Sequence, residues 1–188
     1  MHDIIKNMMN IDKNILIYEN FITDDEQNLL LKYAKEADES EWAEIKFKDK
    51  SLSKKYLDYL KDWDKTTLYI NKDNRNIVEN VKSKCQEVIG TDLLVTDDIY
   101  RIKRLTNKRS ISPHFDDSLN FSLALGIVIY LNNDFDGGEI YYPNQNISYK
   151  PMPKSMIIHP ATEEYTHGVN EVVGNTRYAL AFFATRFK

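Results

Sequence analysis

The chain has a single cysteine, Cys85, among 188 residues. That excludes an intrachain disulfide and any multi-cysteine metal site. Glycine (6) and proline (5) are too scarce for a collagen-like or low-complexity chain. With only 4 histidines, metal chemistry must combine a few of them with carboxylates. No apolar run approaches the roughly 20 residues that cross a bilayer. The start, "MHDIIKNMMNIDKN", has neither a sustained hydrophobic core nor a small-residue cleavage site. The expectation is a cytoplasmic chain without membrane contact. A net charge of -4 excludes bulk attraction to nucleic acid or anionic lipid. The basic run Lys46 to Lys55, "KFKDKSLSKK", is read as a solvated loop.

What is present, 42% hydrophobic and 29% charged residues, is the balance of an ordinary soluble globular protein. The length predicts a single domain over 1–188. "ILIYENFI" (15–22) reads as a strand and "TDDEQNLLLKYAKEA" (23–37) as a helix that starts on a capping box, Thr23 with Glu26. Leu29, Leu30, Tyr33, Ala34 and Ala37 form its expected apolar face. A second amphipathic helix over 74–90 buries Ile77, Val78, Val81, Cys85 and Val88 and stops at Gly90. Cys85 on that face reads as a buried structural thiol. Residues 40–73 carry weak periodicity and predict short strands mixed with a mobile loop. Lys46, Lys48, Lys50 and Lys54, with Trp42 and Trp63, are candidates for a lid in that loop.

From about residue 92 the chain turns into short β-rich runs separated by turn residues, eight in all, which predict a jelly roll or cupin-like double sheet with the two helices packed on the larger sheet. Along 122–131, alternation puts Ser122, Ala124, Gly126, Val128 and Tyr130 on one side. Leu123, Leu125, Ile127, Ile129 and Leu131 occupy the other. One face is bulky; the other leaves room.

His114 and Asp116 in "SPHFDD" are an H-x-D pair, and an extended strand points both to one face. His159 and His167 are the candidates for a third ligand, because His2 sits at the terminus. Two histidines and a carboxylate leave three positions open on Fe(II), as non-haem oxygenases require. Zinc accepts the same donors, but no H-E-x-x-H motif supplies a general base. Arg177, a cation in the otherwise apolar "NTRYALAFF", reads as a bidentate grip on a carboxylate, with Tyr130 as a second donor.

Over residues 98–186, "PHFDD", "IVIYLNNDFDGGEIYYP", "PMPKSMIIHP" and "THGVNEVVGNTRYALAFF" together resemble the Fe(II)- and 2-oxoglutarate-dependent dioxygenases, in their prolyl 4-hydroxylase-like branch. The resemblance implies a double-stranded β-helix, with a catalytic core at about 92–188 and an N-terminal strand and supporting helices within 1–91. It implies Fe(II) held by His114, Asp116 and His167, 2-oxoglutarate held by Arg177 with Tyr130, and O2. His159 is then left to a structural or neighbouring place, and Glu139 of "DGGEIYYP" to strand geometry. The implied reaction is hydroxylation of a prolyl residue in a peptide or protein, coupled to decarboxylation of 2-oxoglutarate to succinate, by a monomer or weak homo-oligomer. The alternatives are the same chemistry on a non-prolyl substrate, a cupin-like metal enzyme without 2-oxoglutarate, and a silent metal-binding module. The chain departs from the family pattern at Arg104, where relatives often carry a co-substrate tyrosine, and at Phe183, where some carry tryptophan.

Overall fold

The computed structural model describes residues 8–43, 62, 64–70, 75–96, 100–117 and 122–186. Its centre is a large antiparallel sheet. In spatial order it runs β1 (Met8–Asp12), β2 (Ile15–Tyr18), β11 (Met156–Pro160), β7 (Leu123–Tyr130), β14 (Arg177–Arg186), β5 (Arg101–Leu105) and β3 (Thr67–Tyr69), with β4 (Leu93–Val95) also on β14. A four-stranded sheet faces it: β10 (Ile147–Tyr149), β9 (Ile140–Tyr142), β12 (His167–Val169) and β6 (Ile111–His114). A ribbon of β13 (Val172–Gly174) and β8 (Phe135–Gly137) completes the jelly roll. This is the expected double sheet.

Helices α1 (Asp24–Glu36) and α2 (Asn76–Ile89) bear on the outer face of the large sheet. Leu30, Ala34, Val78, Val81 and Cys85 pack with Ile102, Ile127, Ile129, Leu180 and Phe182 in one core. Alternation assigns the other residues of those strands to the inner face. The capping box at Thr23 forms as expected, and Glu26 also pairs with Lys84 at 2.7 Å, tying α1 to α2. Leu29 departs from expectation: it is 50% exposed, because the buried stripe of α1 is centred on Leu30 and Ala34.

Two of the β-rich stretches each divide into two strands. Residues 93–105 give β4 and β5, which pair with different stretches of the long β14. "THGVNEVV" gives β12 and β13, which belong to different sheets. β1 was not expected; it turns back onto β2 through a tight bend in which Asn14 N donates to Asp12 Oδ1. Trp42 is no lid residue, being buried in the helix-side core beneath Arg104. Lys46, Lys48, Lys50, Lys54 and Trp63 lie outside the described residues, as does His2.

Candidate active site

His114 ends β6 and His167 begins β12, and these two residues are paired in register, so the ladder itself sets the rings side by side with centroids 4.5 Å apart. Asp116 follows two positions on. Its Oδ1 is 4.0 Å from His114 Nε2 and 3.9 Å from His167 Nε2. The three ligand atoms lie within 4.8 Å of one another, a spacing that a single metal ion can bridge. Each ring is oriented from behind: His114 Nδ1 is 3.0 Å from the Ser112 carbonyl and His167 Nδ1 is 3.0 Å from the Tyr165 carbonyl. A carbonyl only accepts, so Nδ1 carries the proton and the Nε2 lone pair faces the cluster. Burial keeps both rings neutral, pulling His167 down to about 3 with further help from His159, and lowering His114 against the opposing pull of Asp116. Neutral imidazole is the ligating form.

The large sheet comes up against this cluster through Gly126 and His159, which are register partners on β7 and β11. His159 is fully buried, its Nε2 has no hydrogen-bond partner among the described residues, and it stands 3.8 Å from Asp116 Oδ2. Its ring is 4.3 Å from that of His167, and burial pulls its pKa to about 4. The space it shares with Asp116 exists because residue 126 has no side chain. A Cβ there would meet Asp116 Oδ2 and, at 2.8 Å, the His159 ring.

Arg177 opens β14 on the same inner face. It is buried, its guanidinium lies 5.1 Å from the Tyr130 ring, and its Nε has no partner among the described residues. The Tyr130 hydroxyl is likewise sealed and unpartnered. Burial pushes this phenol up to about 12 against the pull of Arg177, so it remains an O–H donor at neutral pH. Asn132 of "YLN", which the sequence reading passed over, brackets Arg177. Its Nδ2 donates to the Thr176 carbonyl at 2.8 Å and its Oδ1 accepts from Tyr178 N at 2.7 Å. Gly138, at φ 67°, leaves room beside the Arg177 stem, where a Cβ would come within 3.2 Å of its Cδ. Tyr142 was also read only as strand. Its buried hydroxyl, without a hydrogen-bond partner among the described residues, belongs to a ring 5.7 Å from His167 and 5.6 Å from His159. Burial, then Tyr130, then Asp116 raise its pKa, and because it shares a core cluster with Tyr130 while touching both histidine rings, it lies between the cluster and the Arg177 pair.

On β5 the inward positions are Arg101, Lys103 and Leu105, because Ile102 is in the helix-side core. Arg104 points away from the site. It stacks 4.0 Å over Trp42, pairs with Glu39 at 2.5 Å and donates to the Lys65 carbonyl at 3.0 Å. Neither it nor Phe183 joins the Arg177 pair. Phe183 faces the cluster instead, in register with Gly126, under the Arg101 guanidinium at 4.7 Å.

Residues 100–185 match the family model of the 2OG-Fe(II) oxygenase superfamily. Over those residues the chain is similar to that superfamily. The solved structures it resembles include the viral collagen prolyl hydroxylase from Paramecium Bursaria Chlorella virus-1 in its 2OG complex, with TM-score 0.69 at 12% identity over 94% of this chain and 97% of that one. A Pseudomonas putida prolyl-4-hydroxylase aligns with TM-score 0.62 at 12% identity over 93% of each chain. A Trichoplax adhaerens prolyl hydroxylase, in complex with a hypoxia inducible factor peptide fragment, gives 0.61 at 16% over 92% of this chain and 84% of that one. At such identities the likeness is one of fold. The sequence matches no curated protein. An oxygenase of this superfamily works with Fe(II), 2-oxoglutarate and O2. The residues fit that set: two neutral imidazoles and a carboxylate converge for the metal, and the sealed, unpartnered Arg177 Nε and Tyr130 Oη stand ready for an anion. Among the described residues, no helix is long and apolar enough to cross a membrane.

Proposed function

We propose that this oxygenase hydroxylates a prolyl residue in a peptide or protein, with His114, Asp116 and His167 holding Fe(II) and Arg177 with Tyr130 holding the far carboxylate of 2-oxoglutarate. The observation that carries the reading is that, between the two sheets, a two-histidine, one-carboxylate cluster and a buried arginine with an orphaned donor are bridged by Tyr142, which packs with Tyr130 and lies beside His167. When bound, Fe(II) and O2 supply oxidation of a C–H bond to C–OH, coupled to conversion of 2-oxoglutarate to succinate and CO2.

The chain's own part is positional. The carbonyls of Ser112 and Tyr165 fix both imidazoles with Nε2 inward. Arg177 offers a planar fork to a carboxylate in a dry setting, where a charge-assisted pair is worth more than in water. Tyr130 adds one O–H to the same group. Asn132 prevents the Arg177 backbone from drifting by holding the peptide on either side of it. Prolyl acceptance is supported by the fold shared with the viral, bacterial and animal prolyl hydroxylases. Its test is mass spectrometry of synthetic peptides incubated with the Fe(II)-loaded protein, 2-oxoglutarate and 18O2. A 2 Da-heavier hydroxyl on proline supports the reading. Labelling confined to non-prolyl residues removes proline as acceptor and leaves the oxygenase chemistry in place.

A further inference from the structure

Asp116 divides its two oxygens between different neighbours. Its Oδ1 is the atom that lies 4.0 Å from His114 Nε2 and 3.9 Å from His167 Nε2, so this oxygen belongs to the proposed metal position. Its Oδ2 turns the other way, toward His159 Nε2 at 3.8 Å. Among the described residues, only these three histidines come close enough to pair with the carboxylate. The side chain is 12% exposed, which leaves little water to serve the second oxygen. A carboxylate oxygen taken out of water without a donor is costly, and a carboxylate that ligates a metal is as a rule steadied by a hydrogen bond from behind.

His159 is the matching orphan. It is fully buried on β11, and its Nε2 has no hydrogen-bond partner among the described residues. Its Nδ1 meets the Pro160 carbonyl at 3.3 Å, beyond the usual N–H···O range of about 2.7–3.2 Å, whereas Nδ1 of His114 and of His167 each has a carbonyl at 3.0 Å. His159 therefore stands between two acceptors, a distant carbonyl and a carboxylate that must be ionised to ligate a metal. A neutral imidazole has one N–H, and a charged acceptor holds it about twice as strongly as a neutral one. A shift of about 1 Å in the carboxylate brings Oδ2 within hydrogen-bond reach of Nε2. Gly126 leaves the room for it: a Cβ there would run into Asp116 Oδ2 and lie 2.8 Å from His159 Nε2, wedged against both atoms.

We propose that His159 is a positioning residue for Asp116: its Nε2–H holds Oδ2, so that Oδ1 alone is left for the cation. This rests on the proposed role of His114, Asp116 and His167 in holding Fe(II). Its consequence is the number of open positions. A carboxylate free to chelate through both oxygens would take a fourth place on the metal, whereas one tied back by His159 takes a single place and leaves three open, as the co-substrate and O2 require. The three buried imidazoles then divide by tautomer, two with a bare Nε2 for the metal and one with a protonated Nε2 for the carboxylate.

The test reads the tautomer and the metal affinity separately. In the Zn(II)-loaded parent, long-range 1H–15N NMR is expected to place the His159 proton on Nε2, the signal being identified by its loss in His159→Gln. A proton on Nδ1 with Nε2 bare overturns the proposal. By anaerobic calorimetry, His159→Phe is expected to bind Fe(II) about 10- to 100-fold more weakly, the usual effect of removing a partner from behind a ligand. His159→Gln, whose amide N–H can reach the same oxygen, is expected to recover most of that loss. Parental affinity in His159→Phe, or an equal loss in His159→Gln, overturns the proposal. Asp116→Ala, measured alongside, separates this outcome from the reading beneath it. No Fe(II) binding by the parent, or parental binding by Asp116→Ala, removes the metal assignment and this proposal with it. A loss in Asp116→Ala without one in His159→Phe removes this proposal alone.

Discussion

Gly126→Ala is a single-methyl change in the floor of the site, and its effect follows from two distances. The added Cβ would run into Asp116 Oδ2 and lie 2.8 Å from the His159 ring. Ordinary contact begins near 3.4 Å, so the carboxylate oxygen must retreat by on the order of 1 Å. Metal–ligand bonds tolerate displacements of only about 0.2 Å. His159 cannot give way easily, being fully buried against His167 and Tyr142. The backbone has no objection, since residue 126 is not among the positive-φ positions and lies mid-strand. Alanine there would even recover roughly 0.5–1 kcal/mol of chain entropy that glycine loses on folding. The expected outcome is a folded protein whose Fe(II) affinity, by anaerobic calorimetry, is weaker by about 100-fold or more, or about 2.7 kcal/mol. Its metal-free melting temperature should stay within a few degrees of the parent. An unchanged Fe(II) affinity in a normally folded Gly126→Ala protein refutes the reasoning, because Asp116 would then not be a ligand held in the space that Gly126 leaves.

Other expectations concern the anion grip and the buried imidazoles. Arg177→Gln should weaken 2-oxoglutarate binding by about 2–3 kcal/mol, on the order of 100-fold, while Fe(II) affinity holds; calorimetry with each ligand separates the two. Asn132→Leu, which touches neither ligand, should weaken 2-oxoglutarate binding about tenfold by freeing the peptide around Arg177, and parent-like affinity would exclude that role. The metal-free protein should lose stability on acidification. Burial pulls His159 and His167 down to about 4 and about 3 from the ordinary histidine value of 6.5. Below pH 6.5 the unfolded chain takes up protons that the folded chain refuses, so stability is retained above pH 6.5 and falls as pH drops toward those folded values. At pH 5 the loss is about 2 kcal/mol for each ring. A melting temperature that is flat from pH 7 to pH 5 would contradict neutral, buried imidazoles.

Much of this site was legible in the chain because strand alternation is a local rule. It put the small residues of 122–131 opposite the bulky ones, which the structure keeps; His114 and Asp116 converge too, but β6 ends at His114 and Asp116 reaches the site from the turn that follows. The paired glycines of "DGGE" are likewise a local signal, since Gly137 and Gly138 take φ values of 63° and 67°. What stayed hidden depends on partners distant in sequence. That β4 and β5 are two strands follows from the length of β14, which no residue between 93 and 105 encodes. Tyr142 and Asn132 are ordinary residues in their own segments and gain meaning only once the two sheets face each other. The one usable signal was alternation from Ile102, which would have turned attention from Arg104 to its inward neighbours. His159, which the resemblance leaves to a structural or neighbouring place, stands buried beside the three-residue cluster, 3.8 Å from Asp116 Oδ2.

The most direct test of the account is succinate formation from 2-oxoglutarate by the Fe(II)-loaded protein in air, with Asp116→Ala and Arg177→Gln measured beside it. The account expects slow, iron-dependent succinate from the parent, even without a peptide, none from Asp116→Ala, and a rate from Arg177→Gln that recovers only at much higher 2-oxoglutarate. Succinate from Asp116→Ala at the parental rate, or none from the parent with or without peptides, would contradict the assignment of this cluster as the iron centre of an active oxygenase.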